Sequence, residues 1–366
     1  MKKKQVAALM LAAIMSSSLV GCGGEETVAA DVDLTTISLD EIEQKAQQEG
    51  QLETVGMPHD WANWKDSFKA LAEMGLSHYD TDLASAEEIA LFEAEKDSPT
   101  KDLGDIGHTH ATIAIERGVV QPYKPLTWES IPNWAKDPEG RWVMSYTGTV
   151  AFTVNTDQTD GKVPDSWAEL MEGDYVVSPG NVVGGASSQM MVIACALANG
   201  GSLDNVQPGI DYFQKLAKEG RLDPGDITQD RLATGEIEVM AGKYDFSGLG
   251  YKETIEQNGG HIDVVIPRDG SVRTGYCLII NKYAPHPHAA AMAVEYMLSD
   301  AGQIDRARGY ARPIREDVEL PEDVAAKLLP EEAYSHVVTI QDPELLARAG
   351  EEVARLWEEQ VLPYMI

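Results

Sequence analysis

From residue 51 to about residue 298 the chain alternates short β-prone runs with amphipathic helical stretches, and this alternation excludes most folds. Runs of that kind build sheets whose strands are joined through helices lying on the sheet faces. Residues 51–57 read as a first strand. Pro58-His59-Asp60 then leads into a helix whose Trp61, Trp64, Phe68 and Leu71 share one face, with Asp60 placed as its N-cap. Residues 103–107 read as a second strand and 111–117 as a helix closed by Gly118. A longer β-prone stretch, 147–154, is suited to run between two lobes. After Pro164 the alternation begins again, with helices at 166–171, 186–198, 208–218 and 249–257 and strands at 175–177, 237–240 and 261–266. A strand at 275–281 and a helix at 289–298 follow. A C-terminal helix over 343–361 carries Leu345, Leu346, Ala349, Val353, Leu356 and Trp357 on one stripe. No repeat of fixed period occurs.

The first residues carry an address. Lys2 to Lys4 precede an apolar run over 6–15 and then Ser16-Ser17-Ser18, the layout of a secretory signal peptide. The apolar run is shorter than the roughly 20 residues that span a bilayer. Leu19-Val20-Gly21-Cys22 resembles the lipobox of bacterial lipoproteins, which implies cleavage after residue 21 and lipid on Cys22. Two acyl chains give the stable anchoring that one chain does not. The small, acidic stretch from Gly23 to about Asp33 suits a flexible tether.

Loss of the first 21 residues removes three lysines and no acid, moving the net charge from −31 to −34. Such a surface is wrong for nucleic acid, whose phosphates need Lys and Arg. The remaining chain is long for a single core, so two lobes are expected. Apart from Cys22 only Cys195 and Cys277 occur, each inside an apolar run, and both read as buried free thiols. There is no CxxC, no HExxH and no Cys/His cluster, so no metal and no cofactor is expected.

In sheets with helices on both faces, ligands bind at the C-terminal ends of strands. Four loops lie at such ends: 58–61, 108–110, 178–188 and 244–247. Gly184-Gly185-Ala186-Ser187-Ser188 opens a helix, and free N–H groups with hydroxyls beside them suit an anion; the same residues also make an ordinary capped turn. No Gly-Lys-Ser/Thr follows, which argues against nucleotide hydrolysis. His108 and His110 after the second strand are either solute contacts or solvated loop positions.

The order of these segments resembles the type II substrate-binding proteins of ABC importers over about residues 52–318. The telling pieces are Gly56-Met57-Pro58, Asp105-Ile106-Gly107, Trp167-Ala168-Glu169-Leu170, Asn281-Lys282-Tyr283-Ala284-Pro285-His286-Pro287 and Gly309-Tyr310-Ala311-Arg312-Pro313. Within that superfamily the chain looks most like the branch of ferric-iron, thiamine, phosphonate and sugar-phosphate binders, beside the polyamine binders. The resemblance implies an α/β clamp of two lobes, each a mainly parallel sheet flanked by helices. Lobe one would hold 51–149 and 275–366, lobe two 153–267, with hinge crossovers at 150–152 and 268–274, after a lipidated lead-in over 22–50.

It further implies a monomer that captures a small charged solute and hands it to a membrane permease and its ATPase subunits. The membrane is met through the lipid alone, outside the cytoplasm, with no catalytic residues. Polyamine binders of this superfamily hold an ammonium with an acid and an aromatic, which makes Asp245 and Tyr244 candidates; Asp245 equally suits a helix cap. Asp60 and Trp61 would face them from lobe one. Ser178, Ser187, Ser188 and Tyr276 complete the expected ligand set, with His108 and His110. The ferric-iron members use adjacent tyrosines, and no Tyr-Tyr pair occurs here. The best match is an amine-bearing solute of polyamine, thiamine or aminophosphonate type. Ferric iron or a sugar phosphate is the alternative cargo, and a secreted hydrolase the alternative from another class.

Overall fold

The computed structural model describes residues 32–365. The expected signal peptide, the lipidation at Cys22 and most of the tether lie outside the described residues. The chain begins with α1 (Leu39–Glu49), β1 (Gln51–Val55), α2 (Trp64–Glu73), β2 (Ser77–Thr81), α3 (Ser85–Ala94), β3 (Leu103–Gly107), α4 (His108–Glu116) and β4 (Val120–Gln121). It continues through β5 (Val143–Thr149), β6 (Phe152–Asn155), α5 (Trp167–Glu172), β7 (Val177–Ser178), α6 (Ala186–Ala198), α7 (Gln207–Lys218), α8 (Gln229–Ala233) and β8 (Val239–Met240). Then come α9 (Asp245–Gln257), β9 (Ile262–Val265), β10 (Ser271–Asn281), α10 (Pro287–Met297), α11 (Asp300–Arg308), β11 (Arg312–Pro313), α12 (Glu322–Ala325), β12 (Val337–Thr339) and α13 (Pro343–Gln360).

Two sheets form. One has the order β11-β5-β10-β3-β1-β2, with β12 and β4 also pairing β10; the other has the order β7-β8-β6-β9. Both are mixed rather than mainly parallel. β1 runs parallel to β2 and β3, but β10 runs antiparallel to β3 and β5. In the smaller sheet β7 is parallel to β8 while β6 is antiparallel to β8 and β9. At the two crossings the reversed strand is the one that receives the chain from the other sheet, β6 after β5 and β10 after β9: β6 runs against β8 and β9, and β10 against β3 and β5. The two crossings are tied together: Val150 N–H donates to the Val272 carbonyl at 3.1 Å and Ser271 Oγ to the Val150 carbonyl at 2.6 Å.

The stretch expected as one strand over 147–154 is broken at Val150-Ala151 for this reason. α1 was absent from the sequence expectations because its apolar positions are few. Ser38 caps its start, Gly50 ends it in the left-handed conformation at φ 64°, and Ile42 and Ala46 are buried. Glu49 then receives the Ala289 N–H at 2.7 Å, capping α10. α13 buries the expected stripe, Leu345 only partly, and packs against α4, α6 and α7, so it spans helices of both sheets rather than one. Phe213 and Trp357 meet there at 5.5 Å. Cys195 and Cys277 are buried free thiols, and burial raises both above the usual thiol range. Among the described residues no helix is long and apolar enough to cross a membrane.

Candidate functional site

The strands β1, β2 and β3 all point their C-terminal ends at a cleft of about 1050 Å³ between the two sheets. From the first sheet's side it is lined by residues of the β1–α2 turn, the β2–α3 turn, Asp105, Tyr276 and the turn after α11. From the other side come residues around Gly180–Ser188, Asp226–Gln229 and Lys243–Thr254. The two sides touch where β3 ends and α6 begins: a Cβ built on Gly107 would lie 2.1 Å from the Cβ of Ala186.

Five of the residues expected at the site line this cleft: Asp60, Trp61, Ser187, Ser188 and Tyr276. Asp60 is not the helix cap. Its side chain makes no cap bond, a kinked turn over Trp61–Asn63 intervenes, and α2 starts only at Trp64. The carboxylate is 94% exposed and stands 3.8 Å from Lys65 Nζ. Trp61 donates its indole N–H to Tyr146 Oη at 2.7 Å, and Tyr146 donates in turn to Asp105 Oδ2 at 2.6 Å. Its ring meets Phe246 at 4.9 Å and Tyr276 at 5.4 Å, both edge-on, and Tyr276 stacks on Tyr146 at 5.6 Å. These rings form an aromatic wall held by one buried carboxyl. Ser187 and Ser188 both donate to the Gly242 carbonyl, at 3.0 and 3.3 Å, and neither is paired with a base.

The other five do not line the cleft. Asp245 is 2% exposed and serves the crossing: Oδ1 accepts from the amides of Thr149 and Phe246 at 2.9 and 3.0 Å, and Oδ2 from Tyr334 Oη at 2.7 Å. A carboxylate bonded three times to its own chain has little left for a solute. Tyr244 is fully buried beside Gly148, where a Cβ would come within 2.7 Å of the tyrosine ring. Ser178 donates to Asp223 Oδ2 at 2.6 Å beneath the loop. His108 opens α4 facing inward, with Nδ1 3.2 Å from Thr274 Oγ1; burial lowers its pKa to about 4, so it is neutral. His110 sits behind the cleft in a separate groove with Ile89, Ile113 and Gln189, and burial likewise lowers it to about 4. The α4 helix begins three residues earlier than expected, and this moves both histidines from a loop onto a buried turn. Arg273 and Arg312 also stay out of the cleft, their guanidinium groups lying over the Tyr334 ring at 5.0 and 4.1 Å.

What sequence reasoning missed is the acidic floor. Glu88 and Asp105 are each 1% exposed and both line the cleft, with Asp82 and Glu87 at its edge. Glu88 fits because its neighbours are glycines. A Cβ on Gly56, where φ is +75°, would stand 2.3 Å from Glu88 Oε1, and one on Gly104 3.0 Å from Oε2. The Asp105 amide donates to Glu88 Oε2 at 3.2 Å. Burial, then the neighbouring Asp105, hold the Glu88 carboxyl well above the usual carboxylate range. Burial also raises Asp105, to about 8, against the help of Tyr146 and Arg306. The Trp64 indole N–H also favours ionised Asp105 but reaches no bonding geometry, and both it and Asp105 Oδ1 are left without a partner. Across the cleft Lys243 lies with Nζ 5.0 Å from the Trp61 ring centroid, and burial lowers its pKa. The signal for Glu88 was present: Ser85, Glu88, Ile89 and Phe92 are the buried stripe of α3, and a carboxylate on such a stripe is out of place in a core. Among the described residues no group of three or more His, Cys, Asp and Glu side chains is arranged to hold a metal.

The family model described as bacterial extracellular solute-binding protein matches residues 102–340. The chain belongs to this solute-binding family. A curated relative, the putrescine/agmatine-binding protein of Pseudomonas aeruginosa, is 27% identical over 216 residues, covering 50% of this chain and 56% of the relative. The match thus spans little more than half of that protein's length. Among solved structures, the periplasmic binding protein AfuA of Actinobacillus pleuropneumoniae, with fructose-6-phosphate bound, superposes with a TM-score of 0.71 at 16% identity, over 85% of this chain and 98% of that one. The apo ferric ion-binding protein A of Pasteurella haemolytica gives 0.66 at 13% identity, over 87% and 99%. These likenesses show the fold: the solute-binding protein has the two-lobed type II periplasmic-binding architecture, and its cleft lies between the lobes.

Proposed function

We propose that this solute-binding protein captures a small amine-bearing cation in its cleft and delivers it to an ABC permease while tethered by lipid on Cys22. The observation that carries the reading is the cleft's charge. Asp60, Asp82, Glu87, Glu88, Asp105, Asp226 and Glu253 line it, against Lys65, Lys243 and Arg308. Burial holds two of these seven carboxyls, Glu88 and Asp105, well above the usual carboxylate range, yet the other five still outnumber the three fixed cations. With Trp61, Phe246, Tyr251, Tyr276 and Tyr310 as walls, they favour an ammonium over an anion or a neutral sugar. The relative named for putrescine and agmatine supports the same class. The lobes stay those of the sequence reading, 51–149 with 275–366 and 153–267, closing over the solute about the crossings at 150–152 and 268–274.

A second reading rests on Lys243, which has no carboxylate within ion-pairing distance among the described residues and stands beside the start of α6. Those groups suit an acidic end, so a solute with both an amine and an acid, such as an aminophosphonate, would use both sides of the cleft.

A thermal-shift screen across polyamines, thiamine, aminophosphonates, sugar phosphates, ferric salts and neutral sugars tests the class. A ligand at a hundredfold excess over its Kd adds about 2.7 kcal/mol of apparent stability. Stabilisation by amine-bearing solutes is the expected result, and stabilisation by neutral sugars alone would remove the proposal.

A further inference from the structure

Resting on that reading, we propose that Glu88, with Asp82 beside it, is the subsite for a primary ammonium group of the solute, and that the cation enters in exchange for a proton carried by Glu88. Glu88 is 1% exposed, lines the cleft, and accepts one hydrogen bond among the described residues, from the Asp105 amide to Oε2. Oε1 accepts none and rests against the α-carbon of Gly56 at the open end of β1. The slot is built for this carboxyl, since either Gly56 or Gly104 with a Cβ would displace it.

What surrounds it is one-sided. Asp105 from β3, Asp80 from β2 and Asp82 from the turn after β2 all oppose ionisation of Glu88, and Glu87 on its own helix opposes ionisation of Asp82. The facing cation is Lys243 from the other lobe, which favours the charged form of Asp82 but is not among the groups acting on Glu88. A buried carboxyl without a counter-charge keeps its proton. An ammonium group brought into the cleft supplies the missing charge and three N–H donors. In the exchange the Glu88 O–H bond breaks, its proton leaves through the open cleft to bulk water, and the carboxylate accepts from the ammonium. At this subsite one positive charge replaces another, which removes most of the cost of burying that ammonium group. The lack of a metal-competent cluster among the described residues favours an ammonium over a divalent ion.

The test is isothermal titration of the full-length lipid-free protein with putrescine at pH 6, 7 and 8, in phosphate and in MOPS at equal ionic strength, neither buffer carrying a primary amine. Buffers that differ in ionisation enthalpy report protons released on binding. The expected result is about one proton released per putrescine at pH 7, with affinity rising up to tenfold per pH unit. Glu88→Gln should bind more weakly and release about one proton fewer than the wild type, with a correspondingly shallower pH dependence, any remainder belonging to Asp105. Should that variant not fold, Asp105→Asn decides: proton release that persists there belongs to Glu88, and release that vanishes belongs to Asp105 and overturns the assignment. Binding that is independent of buffer and pH overturns the exchange while leaving the amine reading intact. If putrescine does not bind at any pH but an anionic or neutral solute does, the amine reading falls and the subsite with it.

Discussion

A methyl group on Gly107 would meet the other lobe. Its Cβ would stand 2.1 Å from the Cβ of Ala186, the first residue of α6, where two carbon atoms normally keep about 3.5 Å. The Gly107 backbone lies at φ −62° and ψ 147°, which alanine adopts freely, so the substitution carries no local backbone strain. Ala186 is a short, rigid neighbour that cannot swing aside. The lobes must therefore part by about 1.4 Å at this point, or the interface must absorb an overpacking cost of about 1–3 kcal/mol. An open clamp is spared that cost. Gly107→Ala should thus weaken solute binding by about 5- to 150-fold. The ligand-free protein should lose only about 1 kcal/mol or less, the difference between Gly and Ala at an N-cap. Titration calorimetry with putrescine gives the first quantity and urea denaturation without ligand gives the second. Unchanged affinity would refute closure at this contact, and a large loss of ligand-free stability would show that the contact belongs to the resting fold.

Three further outcomes are expected. Cys22→Ala should move the protein from the membrane fraction to the soluble fraction of expressing cells, and retention on membranes would remove the anchor. Glu88 has a folded pKa raised above its unfolded value, so its contribution to stability is present in acid and is lost as pH climbs above the ordinary carboxylate range. Ligand-free Glu88→Gln should therefore match wild type near pH 4 and be more stable at pH 8 in urea denaturation; equal stability at both would contradict the buried-acid reading. Asp245→Ala leaves the Thr149 amide and the Tyr334 hydroxyl without acceptors and should cost about 2–4 kcal/mol of stability. Lost putrescine binding with full stability would instead return Asp245 to the ligand set.

Much of the scaffold was legible because strands and helices declare themselves by period. β3 at Leu103–Gly107 and α6 at Ala186–Ala198 fall where the apolar pattern put them. The mixed sheets were hidden, since no residue of β10 reveals that it enters the first sheet from the other lobe. The floor of the cleft was harder still. Asp245 and Glu88 are both acids near a helix start, and sequence ranks Asp245 higher because an aromatic precedes it. Their roles separate only in three dimensions, where the Thr149 and Phe246 amides and Tyr334 occupy Asp245 while Gly56 after β1 and Gly104 on the neighbouring β3 open a slot for Glu88. His108 and His110 show the cost of a three-residue error in a helix start.

Trp61 gives the most direct view of the cleft. Its indole lines the wall, is held by Tyr146 and faces Lys243, so a cation arriving there changes its surroundings. Intrinsic fluorescence titrated with putrescine should change saturably in the wild type and lose most of that change in Trp61→Phe. A saturable signal from neutral sugars with none from putrescine, or a putrescine signal undiminished in Trp61→Phe, would contradict capture of a cationic amine in this cleft.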